Sequence, residues 1–190
     1  MANAVYGVIL NFRAELEFLG DQLHRDPYKK PPVAPVLYLR PQNTWNTSGS
    51  VIRMPAEATA LKMAGTLGVV IGSGYVVVND VSIPHASYYR PAIRQRCRDG
   101  FCVIGSEVAE REPREIRTFI NGDLRCRAST ADLVRPIDRL VADINEFMTL
   151  QPGDILLIGE PFDSPLATAG DRVRVEMDGV APVENEVVAE

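Results

Sequence analysis

Short apolar runs rich in β-branched residues, each closed within a few positions by glycine, proline, asparagine or aspartate, restrict this chain to a sheet-dominated fold. Val5 to Leu10, Val36 to Leu39, Leu67 to Ile71, Tyr75 to Val78, Ile116 to Ile120 and Ile155 to Ile158 all read as strands. Arg172 to Met177 alternates polar and apolar residues, the pattern of a strand with one buried and one wet face. Asn121-Gly122 tolerates positive φ and predicts a tight turn between a strand ending near Ile120 and one starting near Leu124. Pro152-Gly153-Asp154 and Ala169-Gly170-Asp171 are similar turns, each launching a strand. One helix is well marked. Leu133, Ile137, Leu140, Val141, Ile144, Phe147 and Met148 share a face at helical spacing, and Pro136, which would break an interior, places the regular start near itself. A shorter helix is expected from Ala14 to His24. No linker, repeat or low-complexity stretch divides the 190 residues, so residues 1–190 read as one predominantly β domain of the α+β class.

Composition enters mainly by exclusion. Hydrophobic residues at 46% and charged residues at 24% are those of an ordinary globular chain. A net charge of −5 disfavours nucleic acid as a partner, because that binding needs a basic surface to displace counterions. No apolar run reaches membrane-spanning length, so no membrane partner is expected. Met1 to Leu10 has neither a basic start nor a small-residue cleavage site, which leads us to expect a cytoplasmic protein. Cys97, Cys102 and Cys126 are an odd, small set that suits free thiols in a reducing compartment, and no histidine stands beside them to complete a zinc site.

Several local patterns could carry chemistry. Gly72-Ser73-Gly74 follows a strand, but a dinucleotide loop would need its next glycine at Val77 and a helix after it; the residues there read as strand. Asn79-Asp80 ends the Tyr75 strand, where an aspartate serves either as a turn former or as a ligand or acid/base group. Arg90, Arg94, Arg96 and Arg98 cluster, either as a solvated face or as a clamp, since guanidinium groups grip carboxylates with paired hydrogen bonds. Arg40 closes the Val36 strand and could join such a clamp, although by itself it reads as a solvated strand end. His24 and His85 belong to no ligand spacing and read as surface or packing residues. No serine nucleophile elbow is present.

Longer stretches resemble a known family. Thr66-Leu67-Gly68-Val69-Val70-Ile71-Gly72, followed by Gly74-Tyr75-Val76-Val77-Val78-Asn79-Asp80-Val81-Ser82, is similar to the core of the fumarylacetoacetate hydrolase family. So are Glu146 to Ile155, Ile158-Gly159-Glu160-Pro161, Asn121-Gly122 and Ser129 to Leu133. Within it, Tyr88-Tyr89-Arg90-Pro91 and Cys97-Arg98-Asp99-Gly100-Phe101-Cys102 resemble the isomerase/decarboxylase branch of 4-hydroxyphenylacetate breakdown, which occurs as fused halves or as separate subunits. The resemblance implies a rolled, multi-layer β fold with few helices that usually dimerises. It implies isomerisation of 2-hydroxyhepta-2,4-diene-1,7-dioate and decarboxylation of 5-carboxymethyl-2-oxo-hex-3-ene-1,7-dioate. In the family a magnesium or manganese ion chelates the 2-oxo acid. Here the resemblance implies Asp80 and Arg96 as catalytic residues, with Arg40, Tyr89 and Arg90 holding a dicarboxylate or tricarboxylate oxo acid.

The departures from the family pattern are specific. The two glutamates of its metal site fall on Ala64 and Thr66, leaving Asp80 as a lone ligand, so no tightly bound metal or other cofactor is expected. The lid histidine and glutamate fall on Glu15 and Phe18, a substrate lysine on Arg96, and two turn threonines on Ile158 and Glu160. A helical segment between Gly72 and Gly74 is reduced to Ser73, through a true deletion or an omitted stretch. Two functional expectations follow. The chain is an active subunit in which Asp80 moves protons and the arginines grip carboxylates, as a homodimer or paired with a metal-bearing sister subunit; alternatively, it is a degenerate partner that only supports such a sister.

Overall fold

The computed structural model describes residues 3–85, 87–106 and 108–190. Met1 and Ala2, which open the stretch read for a leader, lie outside them. The described residues form strands β1 (Val5–Ile9), β2 (Val36–Leu39), β3 (Trp45–Thr47), β4 (Val51–Met54), β5 (Leu61–Val70), β6 (Gly74–Ser82), β7 (Cys102–Ile104), β8 (Glu115–Ile120), β9 (Asp123–Ser129), β10 (Ile155–Leu157), β11 (Leu166–Ala167), β12 (Arg172–Met177) and β13 (Val180–Ala189). Three α-helices join them: α1 (Arg13–Leu19), α2 (Ile93–Arg96) and α3 (Ile137–Asn145). This is the mostly β architecture expected.

One sheet has eight strands in the order β2-β1-β10-β5-β6-β7-β3, with β11 also paired to β5. The other has five, β4-β13-β12-β8-β9. The sheets meet face to face. Leu61, Met63, Leu67, Val77 and Val81 of β5 and β6 pack against Ile116, Val173, Val175, Val183 and Val187 of the smaller sheet. Gly65 lets them approach, because a Cβ there would run into Thr118 and Val175. On the other side of the large sheet, Leu140 and Ile144 of α3 pack on Val8 and Leu156, giving a third layer. Each of these two helix residues is fully buried and contributes about 1.5–3 kcal/mol.

Local chemistry explains the turns. Asn121 and Gly122 take φ of 53° and 87° and join β8 to β9. Asp154 and Asp171 each accept a backbone hydrogen bond from three residues earlier, Gln151 N–H at 2.8 Å and Thr168 N–H at 2.7 Å. β12 alternates exposed and buried residues as its sequence requires. The expected Ala14–His24 helix is α1 followed by a 3-10 turn over Gly20–His24. β5 and β6 pair continuously from Lys62–Ser82 to Val70–Gly74 and close through Gly72 (φ 79°) and Ser73, so the short connection suffices for a hairpin.

Two expectations need correction. Leu133 precedes α3, with Pro136 at the cap position, and forms an isolated bridge with Phe12. Phe147 lies beyond the helix end and is 63% exposed, because the last turn leaves the direction of the apolar stripe. β4, β7 and β13 were not legible as strands. In β13, Pro182 sits where the pairing with β12 shifts register, a bulge that tolerates a residue without an N–H.

Candidate active site

Register places the chemistry. Residues directly opposite in an antiparallel pair share a face, and Ala64 of β5 lies opposite Asp80 of β6. Period-two alternation then puts Lys62 and Thr66 on that face as well. It is the face away from the sheet-to-sheet core, toward β1, β2 and the chain that follows β10.

Asp80 is fully buried there and is surrounded by donors. The Tyr38 hydroxyl and the Arg40 guanidinium donate to it, Arg40 Nε at 2.5 Å, and Arg96 Nη1 lies 3.3 Å from its second oxygen. Arg40 also donates to the carbonyls of Val81, at 2.6 Å, and of Arg96. Its expected place as a solvated strand end is therefore wrong: the side chain is 1% exposed, because the chain after β2 turns inward and hands its guanidinium to a buried carboxylate. Tyr38 reaches Asp80 across β1, where its register partner is Gly7. A Cβ at Gly7 would collide with the Tyr38 ring. The Arg96 guanidinium lies over that ring, 4.4 Å from its centroid.

Arg96, at the end of α2, also forms an ion pair with Glu160, whose second oxygen takes Lys62 Nζ at 2.8 Å. Burial opposes ionisation of Glu160, but Arg96 and Lys62 outweigh it and hold the carboxyl well below the usual carboxylate range. Thr66 donates to the Gly159 carbonyl at 2.7 Å and so fixes the turn that presents Glu160. Asn11 steadies the other side. Its amide donates to Ile158 at 2.8 Å, and its oxygen accepts from Arg135 N–H at 3.0 Å, which anchors the start of α1 and turns Glu15 inward. Glu15 is 2% exposed. Burial first, and then the charge of Glu160, push its carboxyl up to about 7, against a hydrogen bond from Tyr88 and the charge of Lys62.

A cavity of about 360 Å³ opens beside this network. Tyr38 and Arg96 line it, as do His85, Tyr88, Tyr89 and Arg90 from the segment after β6, with apolar residues of β2 and Ile93 completing the wall. Burial, followed by Arg96, lowers the pKa of His85, favouring neutral imidazole there. The five residues expected in the site thus fall into two groups. Asp80, Arg96 and Arg40 come together as a buried network, while Tyr89 and Arg90 sit on the exposed side of the cavity. Arg94 and Arg98 pair instead with Glu57 at the surface. Among the described residues, a larger space of about 610 Å³ near β3 and β7 is lined by no arginine or lysine and so offers a carboxylate no cation.

Sequence reasoning missed Tyr38 and Lys62, named Tyr88 only within a family motif, and treated Glu15 only as a departure and Glu160 as a motif position and a departure. Lys62 was within reach, since it lies two residues before Ala64 and shares its face by alternation. Nothing local marked Tyr38, which gains its role from Gly7 on a neighbouring strand.

A divalent metal does not suit this donor set. Ala64 offers a methyl group opposite Asp80, Thr66 is committed to Gly159, and both Asp80 oxygens already face cations or a hydroxyl. Among the described residues no group of three histidine, cysteine, aspartate or glutamate side chains could hold a metal ion. A hard dication needs several oxygen ligands, and here guanidinium groups stand on the carboxylate that would supply them.

Comparison with known proteins agrees with the fold and the motifs. Residues 4–188 match the family model described as Fumarylacetoacetate (FAA) hydrolase C-terminal. The 4-hydroxyphenylacetate degradation bifunctional isomerase/decarboxylase of Escherichia coli is 38% identical over 207 positions, covering 100% of this chain and 48% of that protein. The chain therefore spans about half the length of the curated relatives it matches most fully. The 5-carboxymethyl-2-hydroxymuconate delta-isomerase of Mycobacterium smegmatis superposes with a TM-score of 0.82 at 28% identity, covering 100% of this chain and 78% of that one. Fumarylpyruvate hydrolase of Pseudomonas aeruginosa, solved with Mn2+ and pyruvate, shares the fold with a TM-score of 0.80 at 21% identity, over 100% and 91% of the two chains.

Proposed function

The chain belongs to the fumarylacetoacetate hydrolase family, and on that premise we propose that it is a metal-independent subunit of an isomerase/decarboxylase of aromatic-acid breakdown. It binds a 2-oxo dicarboxylic or tricarboxylic acid in the cavity beside Arg96 and serves the isomerisation, a proton transfer on 2-hydroxyhepta-2,4-diene-1,7-dioate. The observation that carries this reading is the charge balance of the network. Arg40, Arg96 and Lys62 supply three positive charges against two on Asp80 and Glu160, which leaves one for a substrate carboxylate while Glu15 holds its proton. In a buried network that surplus acts through a lower dielectric than at a surface and is worth more there. Arg96, which lines the cavity, faces the charge that develops when a 2-oxo acid enolises, and a donor aimed in advance at such charge is a large catalytic effect. Arg90 and Tyr89 hold the distal carboxylate. Asp80, with both oxygens engaged, orients Arg40 and Arg96 rather than exchanging protons itself.

Decarboxylation calls for a stronger electron sink, and the crowding of Asp80 by cations favours assigning it to a metal-bearing sister subunit paired with this chain. The test is turnover of the two acids by the purified chain, followed by ultraviolet absorbance, with magnesium and then with a chelator. Isomerisation that changes less than about twofold on chelation supports the reading, since chemistry that ran through a metal would lose orders of magnitude. Activity abolished by the chelator refutes it. Activity absent in both conditions and restored only by the sister subunit reduces this chain to a supporting half.

A further inference from the structure

Glu15 has no part in the network as described so far, yet it is built into it at a cost. Its side chain is buried, and one carboxylate oxygen has no hydrogen-bond partner. A buried polar atom left unpaired costs about 1–3 kcal/mol, which an apolar residue at this position of α1 would avoid. Glu160 and Lys62 face it from the other side of the cluster, and the Leu10 backbone and the Tyr88 hydroxyl stand beside it, close enough to act on its ionisation. Tyr88 in turn lines the cavity, with the His85 ring edge-on at 5.8 Å. The two glutamates thus stand in opposite environments. Glu160 is clamped as an anion between two cations, and Glu15 is deprived of cations of its own. A pair of carboxyl groups pushed apart in this way separates a fixed charge from a group free to gain and lose a proton near neutrality.

We infer that Glu15 and Tyr88 form a proton relay on the wall of the cavity, serving the carbon next to the carbonyl of a bound 2-oxo acid. The inference rests on the reading of the cavity as a 2-oxo acid site. In the enolising direction the carbon-bound proton passes to the Tyr88 oxygen as the phenolic proton passes to the Glu15 carboxylate. The C–H electron pair becomes the C=C bond of the enolate, and the negative charge settles on the carbonyl oxygen beside Arg96. The reverse transfer, to a carbon farther along the conjugated chain, returns the proton and completes an allylic shift without oxidant, reductant or leaving group. Burial and the charge of Glu15 keep the Tyr88 phenol protonated, so it conducts the proton and does not store it. Glu15 stores it, with its carboxyl at about 7.

The test uses the full chain with 2-oxoadipate as probe. Calorimetry reads binding, and proton NMR in D2O reads exchange of the C3 hydrogens between pD 5.5 and 9. The expected result is exchange that rises as Glu15 ionises through about 7. Glu15→Gln should bind the probe as the wild type does, lose about 100-fold or more of the exchange rate and lose the inflection. Glu15→Asp should recover part of both, and Tyr88→Phe should lose exchange while keeping binding. Exchange in Glu15→Gln at the wild-type rate, or with the inflection intact, overturns the relay and leaves the cavity reading standing. So does a wild type that binds the probe without exchanging it. A wild type that does not bind the probe overturns the cavity reading, and the relay falls with it.

Discussion

Replacing Arg40 by methionine tests the network most directly. Methionine retains an unbranched stem of similar reach but removes the donors to Asp80 and to the carbonyls of Val81 and Arg96. Removing one member of a buried ion pair costs about 3–5 kcal/mol, since the remaining charge has no water to turn to. Asp80 keeps Tyr38 and Arg96, which moderates the loss, while each stranded carbonyl adds about 1–3 kcal/mol. We expect about 5 kcal/mol in all, the low end of these ranges, which for a domain of this size lowers the melting temperature by roughly 10–20 °C. Asp80→Asn should cost about 3–5 kcal/mol for the reciprocal reason, two guanidinium groups left sharing one fewer carboxylate. The double variant should fall short of the sum of the two by about 2 kcal/mol, because the second change removes a partner already lost. Urea unfolding of the four proteins measures this. Single losses below about 1 kcal/mol, or costs that add within about 0.5 kcal/mol, would show that the contacts around Asp80 do not act as one unit.

Three further outcomes are expected. Gly7→Ala drives a methyl group into the Tyr38 ring; it should cost about 1–3 kcal/mol of stability and weaken 2-oxoadipate binding in the same calorimetric assay. The Glu15 carboxyl lies at about 7 in the folded chain, above its ordinary 4.5. The folded state therefore holds the extra proton, and stability falls as pH rises from 4.5 through 7, by up to about 3 kcal/mol. Glu15→Gln should abolish that slope in urea midpoints compared at pH 5 and pH 8. Glu160 has the opposite sign: its carboxyl is depressed, so its contribution is present above the ordinary carboxylate pKa and is lost as the solution is acidified below it. Leu140→Ala, in the helical layer away from the cavity, should cost about 2–5 kcal/mol in thermal unfolding and leave probe binding as it was.

The strands and turns were legible where local chemistry decides them. β-branched runs marked β1, β2, β5, β6, β8 and β10, and asparagine-glycine placed the β8–β9 hairpin within a residue. Strands with mixed composition were not legible. β13 carries Pro182, Glu184, Asn185 and Glu186, and only its place between β4 and β12 makes its alternate residues apolar contacts. Of the site, the family resemblance led to an expectation of carboxylates missing at Ala64 and Thr66 and of chemistry at Asp80 and Arg96, and the chain order does place Ala64 and Thr66 two positions apart on one strand face. What surrounds Asp80 could not be read off the chain. Tyr38, Arg40 and Arg96 lie 42, 40 and 16 residues from it along the chain, and Lys62 and Glu160 are joined across 98.

The sequence by itself determined the class of fold, the hairpins and the family, because these depend on periodicity, turn residues and motif spacing. It also determined that Ala64 and Thr66 carry no carboxylate. Only the tertiary structure decided what surrounds them. Sheet register brought Ala64 opposite Asp80, the bare backbone of Gly7 let Tyr38 cross β1, and the turn after β10 carried Glu160 to Arg96 and Lys62. Charge and burial are properties of neighbours in space. Arg40 therefore reads as a surface residue in one dimension and is a fully enclosed charge of the site in three, and Glu15 becomes a proton carrier only where Glu160 and Tyr88 meet it.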